Sequence, residues 1–529
     1  MSDLIGRLQS NGSLTGMLSS EASLSGRLSL AEPVTVEQLN VVKNGTYTAA
    51  ANHAYSPVNV NVPKELAFED IKDVMFMDYD GEVVASYDAA DFIANVTSLP
   101  TPPAHDGLTF QEWNWTLADI KDELQNGSGA CCIGACYTTN DGNTHFFIKL
   151  DERESMRLQL YFQKYDSSML TVDWGDGTTS TTTSSTYLRH LYSAYGEYEV
   201  TINCSSNWSF NPGTEGFRSI PLTDAECTGS YYTHATFFLK EVWFGTTGRI
   251  CYNNYNLFRG CYGLKSVSVH KDIFYNNGQQ MNLSNMFQYS NILFFTVPAP
   301  LASVTTTHAS PMSNWFVACK NLITVSYPKG FKYLLANPFS QSGIRFFFFP
   351  AMDTWDCKAS YCQFQYCIRL ERIAMKFDNF TTTSSTGFNS FLMYAYNIKK
   401  VSWEKMKIPS TVTTRYLCYI GYGLTGEVTL PATFTRFVGD EFSNCYSVTK
   451  FTMLGDITAV GTVNGYVFAS DVSCLEWDFT HCTSVPTLYN TNCFSGIRPT
   501  AKIKVPASLE ASWKAASGWS TYANYIVGV

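Results

Sequence analysis

At 529 residues the chain is long enough for several domains, at roughly 100–200 residues each, and 45% of it is apolar. Charged residues make up only 15% and the net charge is −9, which argues against nucleic acid as a partner because phosphate neutralisation needs a basic surface. No apolar run has the length of a membrane-spanning helix, and the opening MSDLIGRLQSNGSLTG lacks a basic stretch followed by an apolar one; the expectation is cytoplasmic synthesis, no visible export signal and no membrane insertion.

Residues 1–32 repeat with a period of ten: Leu4-x-Gly6-x-Leu8, Leu14-x-Gly16-x-Leu18 and Leu24-x-Gly26-x-Leu28. Glycine between two leucines sets both on one strand face and lets backbones approach closely. These six leucines have too little area for a core of their own, so they are read as an interface covered by neighbouring subunits or another protein. Residues 33–64 form a β segment, two alternating strands at 39–42 and 58–62 around an Asn44-Gly45 turn. Residues 65–152 change to a small α/β domain: strand, Asp80-Gly81 turn, strand, a helix entered near Asp88, a Pro-rich loop, and a helix starting near Thr116 with Asp119 in its first turn. Asp78 and Asp80 are read as turn residues before Gly81, not as an acid/base or cation site. Cys131, Cys132 and Cys136 lack the spacing and the second ligand pair of a zinc site. In residues 153–205, LTVDWGDGTTS is followed by HLYSAYGEYEVTI; Asp173 and Asp176 are expected to cap their own tight turn in preference to binding calcium.

From 206 to 529 a twelve-residue phrase recurs, with apolar or small residues at +3, +6, +9 and +11 from an aromatic or leucine anchor. Phe258 opens Cys261, Leu264, Val267, Val269; Phe316, Phe364, Leu392, Phe442 and Phe494 open equivalent sets, and weaker copies start at Phe287, Phe339, Leu417 and Phe468. Starts step by 23 to 29 residues, the period of a solenoid in which each unit buries its apolar side only by stacking on its neighbours. The +9/+11 alternation is a strand and the first half a tight turn or short helix. Cysteine at +3 is a small buried hydrophobe; this recurrence, with a cytoplasmic origin, favours reduced thiols among the sixteen cysteines.

The repeat phrase resembles the leucine-rich repeats of the BspA-like bacterial surface proteins, and the closing VPASLEASWKAASGWSTYANYIVGV is similar to the C-terminal cap of such proteins, with a short amphipathic helix around 509–516. The DWGDG turn with His190, Tyr192 and the Gly196-Glu197-Tyr198 strand entry resembles polycystic-kidney-disease-type immunoglobulin-like sandwiches, which implies a spacer or adhesive module. The decapeptides, the segment after them, and the run from Gly107 to Leu117 with Trp113 and Trp115 resemble parts of bacteriophage and prophage tail and baseplate proteins. The expected architecture is therefore multidomain and mainly β: a C-terminal leucine-rich-repeat-type solenoid preceded by a small α/β domain and an Ig/PKD-like β-sandwich.

The eight histidines are scattered, without HExxH, GxSxG or a phosphate-cradling loop, so no catalytic residue, metal or cofactor is expected. An N-terminal anchor, spacers, and a distal repeat surface are the order of an adhesive virion appendage. The resulting expectation is a phage tail fibre or receptor-binding protein of the virion that joins other tail or baseplate proteins by its N-terminus and touches a host surface glycan or protein through the solenoid. A homo-oligomer, with a trimer favoured, is part of that expectation. Alternatives are a bacterial cell-surface adhesin and a surface-polysaccharide depolymerase, whose two carboxylates need not lie close in sequence. Tyrosines at +2 (Tyr289, Tyr366, Tyr394, Tyr419) and +4 (Tyr262, Tyr396, Tyr446) are expected on the outer edge as receptor contacts, or stacked on one another as packing. Positions +8 and +10 should face away from the core; two copies place Phe295/Val297 and Phe347/Phe349 there, so either the register slips by one residue or a partner covers the patch. The partner is the favoured reading, with Phe347 and Phe349 at the interface.

Overall fold

The computed structural model describes residues 66–529, apart from 152–155, 211–216, 220–236, 252–253, 276–281, 299–312, 332–336, 357–362, 382–387, 389, 410–413 and 464. Leu4, Leu8, Leu14, Leu18, Leu24 and Leu28, with the 39–42 and 58–62 strands, lie outside the described residues. Phe68–Val529 is one compact unit, mainly β with few helices, and no described helix is long and apolar enough to cross a membrane.

Its first layer is a four-stranded sheet. Strands β1 (Val74–Met77) and β2 (Val83–Tyr87) form a hairpin; β3 (Leu108–Trp113) and β4 (Cys131–Thr139) pair antiparallel, and β1 and β4 run parallel at the centre, giving the order β2-β1-β4-β3. Helix α1 (Ala89–Asn95) begins after Asp88; α2 (Leu117–Asn126) begins at Thr116, whose hydroxyl accepts the Asp119 amide at 3.1 Å, a cap of the usual kind. One sheet face meets the helices through Phe76, Phe92, Ile120, Leu124 and Ile133. By alternation Met75, Met77, Cys132, Gly134 and Cys136 face the other way, and they are equally buried.

A second layer comprises β5 (Thr144–Leu150), β6 (Arg157–Lys164), β7 (Leu170–Asp173), β8 (Thr179–Thr182), β9 (Thr186–Leu191), β10 (Gly196–Cys204) and β11 (Trp208–Phe210). They fall into two sheets, one holding β5, β10, β7 and β8, the other β6, β9 and β11. Neither sheet closes on itself. Leu239–Trp243 continues the first and Gly248–Cys251 the second, each followed by a parallel strand of the next coil, Ser266–Ser268 and Phe274–Tyr275. The two sheets thus share one apolar core with the solenoid. Strand β5, which the sequence pattern assigns to the α/β segment, pairs with β10 across seven positions and belongs here.

Solenoid coils then stack to the C-terminus, their main strands following one another in parallel: Phe294–Thr296, Thr324–Ser326, Phe346–Phe348, Arg372–Ala374, Lys400–Val401, Gly426–Leu430, Val448–Met453, Glu476–Asp478, Lys502–Val505 and Ile526–Gly528. Inward anchors Phe258, Phe287, Phe316, Phe339 and Phe364 form a ring stack with centroids 5.3 to 5.7 Å apart. The +3 cysteines are small for a further reason. Cys319 and Cys367 each donate their thiol at 2.9 Å to the anchor carbonyl of the preceding coil, Phe287 and Phe339 respectively. At the end, helix α3 (Glu510–Ala515) turns Trp513 inward against Trp519 at 4.5 Å, closing the last coil.

The register departs from the sequence pattern in three copies. In the copies at Phe287 and Phe339 the sequence is one residue shorter after +3, so Ile292 and Ile344 fill the next inward position and Phe295/Val297 and Phe347/Phe349 point into the solenoid's own core. The interface assignment of Phe347 and Phe349 is therefore overturned: both are fully buried, and Phe347 packs on Phe339 and Phe364. The slip turns Phe294, Phe346 and Phe348 outward instead, and the face they occupy is covered by the adjoining α/β layer. In the weak copy the anchor is Cys418, not Leu417: Leu392 and Tyr394 donate to the carbonyls of Leu417 and Tyr419, the same pairing by which Phe364 and Tyr366 engage Phe391 and Met393 on either side of anchor Leu392.

Candidate functional site

Polar contacts dock the α/β layer on the solenoid. Asn114 donates to the Val297 carbonyl at 2.8 Å and to Ser326 at 2.9 Å while accepting the Gly134 amide at 2.8 Å. Ser326 donates to the Cys132 carbonyl at 2.7 Å, and the Trp115 indole donates to the Tyr327 carbonyl at 2.8 Å. A Cβ on Gly134 would sit 2.2 Å from the Thr296 hydroxyl, so glycine is what lets β4 lie directly on Phe294–Thr296. Further on, Arg372 stacks over Phe348 at 5.0 Å, donates to the Ile71 carbonyl at 2.9 Å and pairs with Asp73. With this half of the strand face closed, the turn edge carries exposed tyrosines from the coil of Phe364 onward, Tyr366, Tyr396, Tyr422 and Tyr446.

That edge is built by a repeated left-handed turn. Residues two before and two after the anchor have positive φ: Asn256 and Gly260, Asn285 and Tyr289, Asn314 and Ala318, Asn337 and Gln341, Ser390 and Tyr394, Tyr416 and Ile420. Asparagine adopts this conformation more readily than other side chains; tyrosine and isoleucine adopt it at a cost of order 1–3 kcal/mol. Hydrogen bonds from one coil to the next hold them there. The anchor and +2 amides donate to the carbonyls on either side of the next anchor, as in Phe287 to Trp315 and Tyr289 to Val317, both 3.0 Å.

Tyrosines at +4 point out of this turn. Tyr396, Tyr422 and Tyr446 stack in a row, with centroids 5.5 and 4.9 Å apart and ring planes within 16° and 9°. Each stays 38 to 41% exposed, and exposed Ile368 and Val472 continue the row on the neighbouring coils. A second row lies beside it: Tyr366 stacks on Tyr394 at 4.8 Å, Tyr394 meets Tyr419 edge-on at 5.9 Å and Tyr396 at 6.1 Å, and Tyr419 meets Tyr416 at 5.3 Å. Burial, and then the neighbouring phenols, raise the Tyr394 and Tyr419 hydroxyls above their ordinary range, so both rings stay neutral.

The structure thus brings together Tyr366, Tyr394, Tyr396, Tyr419 and Tyr446. It leaves Tyr262 and Tyr289 apart: both are exposed, Tyr262 stacks on Phe237, and the intervening coils carry Ala318, Lys320, Gln341 and Gly343 at the same offsets. Tyr419 is half-buried at +1 from Cys418 instead of exposed at +2. The same one-residue shift hides Tyr422, which the sequence reading omits although it is the middle ring of the row. The available signal was the positive-φ turn, marked in four copies by asparagine two residues before the anchor.

Elsewhere, Asp173 accepts the Gly175 amide at 2.9 Å, and Asp176 accepts the Thr178 amide and pairs with His190 at 2.7 Å, so this turn is held by its own side chains. Asp78 accepts the Tyr79 amide and pairs with His105 at 2.7 Å, and Asp80 accepts the Glu82 amide. Among the described residues no group of three or more His, Cys, Asp or Glu side chains could hold a metal ion. No family model matches the chain, and no curated protein matches it. Among solved structures, a leucine-rich repeat protein from Bacteroides ovatus ATCC 8483 is similar over 53% of this chain and 77% of that one, at 18% identity and a TM-score of 0.28.

Proposed function

We propose that the chain is a non-enzymatic adhesive protein whose tyrosine edge meets a glycan or protein on a host cell surface. More finely, we read it as a tail fibre or receptor-binding protein of a phage virion, attached through its N-terminal repeats and bearing the sandwich strands as an immunoglobulin-like spacer fused to the first coil. The carrying observation is the exposed Tyr396-Tyr422-Tyr446 row with Ile368 and Val472. Because the rings already stack on one another, their faces are occupied; what they present is a rigid line of ring edges and hydroxyls. Such a surface binds with little loss of side-chain freedom, and tyrosine is enriched where interfaces concentrate their energy. Soluble proteins seldom leave a contiguous apolar strip uncovered without a binding role.

Replacing Tyr396, Tyr422 and Tyr446 together by Ser should lower adsorption of the purified protein to host cells at least tenfold, with the melting temperature little changed. Undiminished adsorption would remove the surface from the account. The repeat phrase, in its resemblance to BspA-like proteins, favours a second reading, a surface adhesin of the producing bacterium. Immunogold labelling separates the two: label on tail tips supports the virion reading, label on the bacterial envelope the adhesin.

A further inference from the structure

At one end of the two-sheet layer, the last residues of β6 and β10 meet. Lys164 closes one strand, Cys204 the other, and the two strands belong to opposite sheets. The Lys164 side chain is 1% exposed, and its Nζ lies 2.8 Å from the Cys204 Sγ and 2.7 Å from the Ser168 hydroxyl. Ser168 is also 3.3 Å from the sulfur, Ser206 is 3.9 Å from it, and both hydroxyls donate to Asp166 at 2.6 and 2.8 Å. Cys204 retains 6% of its surface, under a loop whose Asp166 carboxylate is half exposed.

We propose that Lys164 and Cys204 form an oxidative modification site, in which a peroxide joins the lysine nitrogen to the cysteine sulfur and ties the two sheets covalently. The reaction runs through the thiolate form of Cys204, with the Lys164 ammonium as proton donor. The thiolate attacks one peroxide oxygen, the O–O bond breaks, and the departing hydroxide takes a proton from Lys164, leaving sulfenic acid, water and a neutral amine. The amine then attacks sulfur; the S–O bond breaks, the S–N bond forms, and the second hydroxide leaves as water with one of the two amine protons, the other staying on the nitrogen. One peroxide is reduced to two waters while sulfur gives up two electrons. Ser168, within reach of both Nζ and Sγ, is placed to hydrogen-bond the leaving oxygen.

Geometry separates this cysteine from repeat cysteines such as Cys319, Cys367 and Cys445, whose thiols donate to backbone carbonyls in the apolar core. Burial raises the Cys204 thiol, but the Lys164, Ser168 and Ser206 contacts outweigh it and hold the group below its ordinary value. Burial pushes Cys319 and Cys367 up to about 12, leaving them protonated and poorly nucleophilic. A link between sheets suits a module that carries load between an anchor and a bound surface, although it does not depend on the adhesive reading.

The test is a hydrogen peroxide titration of the full chain followed by tryptic mapping without reductant. Expected is a linked pair, residues 158–189 uncut at Lys164 joined to residues 190–218 through Cys204, two hydrogens lighter than the separate peptides and released by dithiothreitol. In Lys164→Arg the charge remains but no free amine can form; dimedone should trap a sulfenic acid on Cys204 and no link should appear. The proposal is overturned if wild-type Cys204 stays a thiol, or passes to sulfinic acid while trypsin still cuts at Lys164. That comparison needs no variant and stands even if Lys164→Arg does not fold.

Discussion

The outer strand face of the solenoid changes character halfway along. In the first coils Ser266–Ser268, Phe294–Thr296, Thr324–Ser326, Phe346–Phe348 and Arg372–Ala374 are buried at every position, because the core lies on one side and the α/β layer on the other. In the later coils Gly426–Leu430, Val448–Met453, Glu476–Asp478 and Lys502–Val505 alternate between buried and accessible residues, and Glu476 bridges Lys450 at 3.2 Å and Lys504 at 2.7 Å. A strand covered on both faces is buried at successive positions, and a charge there, as at Arg372, is paired with the covering layer; one covered on a single face alternates buried and polar residues. One repeat phrase thus serves two environments.

The largest effect should come from the core of the covered half. Phe347→Ser removes a ring packed on Phe339 and Phe364 and should cost about 4 kcal/mol or more; chemical denaturation is expected to show an unfolded or barely folded protein. A folded variant that merely dissociates would restore the interface reading of this residue. Next is pH, which should act on the two halves in opposite directions. His270, at the covered end, is buried beside Arg249 and held down to about 4. The unfolded chain protonates it near its ordinary value while the folded one does not, so stability falls as pH drops from about 6.5 towards 4, by up to about 3 kcal/mol. Glu441, in the open half, is buried and pushed up to about 7, although it accepts the Gly439 amide and the Thr414 hydroxyl. The unfolded chain loses its proton first, so stability falls as pH rises from about 4.5 to 7, by a similar amount. Hydrogen exchange resolved along the chain should show acid loosening the first coils and neutral pH loosening the later ones; Glu441→Gln should weaken the second trend alone, since burial also raises the Asp471 carboxyl in the later coils. The smallest effect is expected from Lys504→Ala, which breaks a solvated ion pair and should shift stability by about 0.5 kcal/mol.

Much of this architecture was legible because stacking forces a fixed spacing: Cys261, Leu264, Val267 and Val269 are all buried as their offsets require, and the cap helix α3 lies within 509–516. Errors arose where neighbouring residues are interchangeable to a pattern. Leu417 and Cys418 are both small enough and apolar enough to be anchors, and only the coil-to-coil hydrogen bonds choose between them. The one-residue deletions after Ser290 and Ser342 left Phe346–Phe348 aromatic in either register, so the slip could not be seen in composition. The covering layer was hidden for another reason. Ser266, Ser268, Thr324 and Ser326 read as a solvated face, yet small hydroxyls are equally suited to a buried contact that supplies partners, as Asn114 and the Cys132 carbonyl do for Ser326. Tyr396 and Tyr446 of the outer row are legible at +4, and only Tyr422 between them is lost, through the anchor error.

The most direct test of the two-environment account is thermal unfolding of Ser326→Lys and Thr452→Lys measured side by side. Ser326 is fully buried between Asn114 and the Cys132 carbonyl of β4, whereas Thr452 is half-exposed and pairs in register with Asp478. Ser326→Lys should lose about 3 kcal/mol or more and expose the strands it now covers, while Thr452→Lys should stay within about 0.5 kcal/mol of the parent. Equal tolerance at both positions would contradict the claim that the α/β layer covers the first half of the solenoid face.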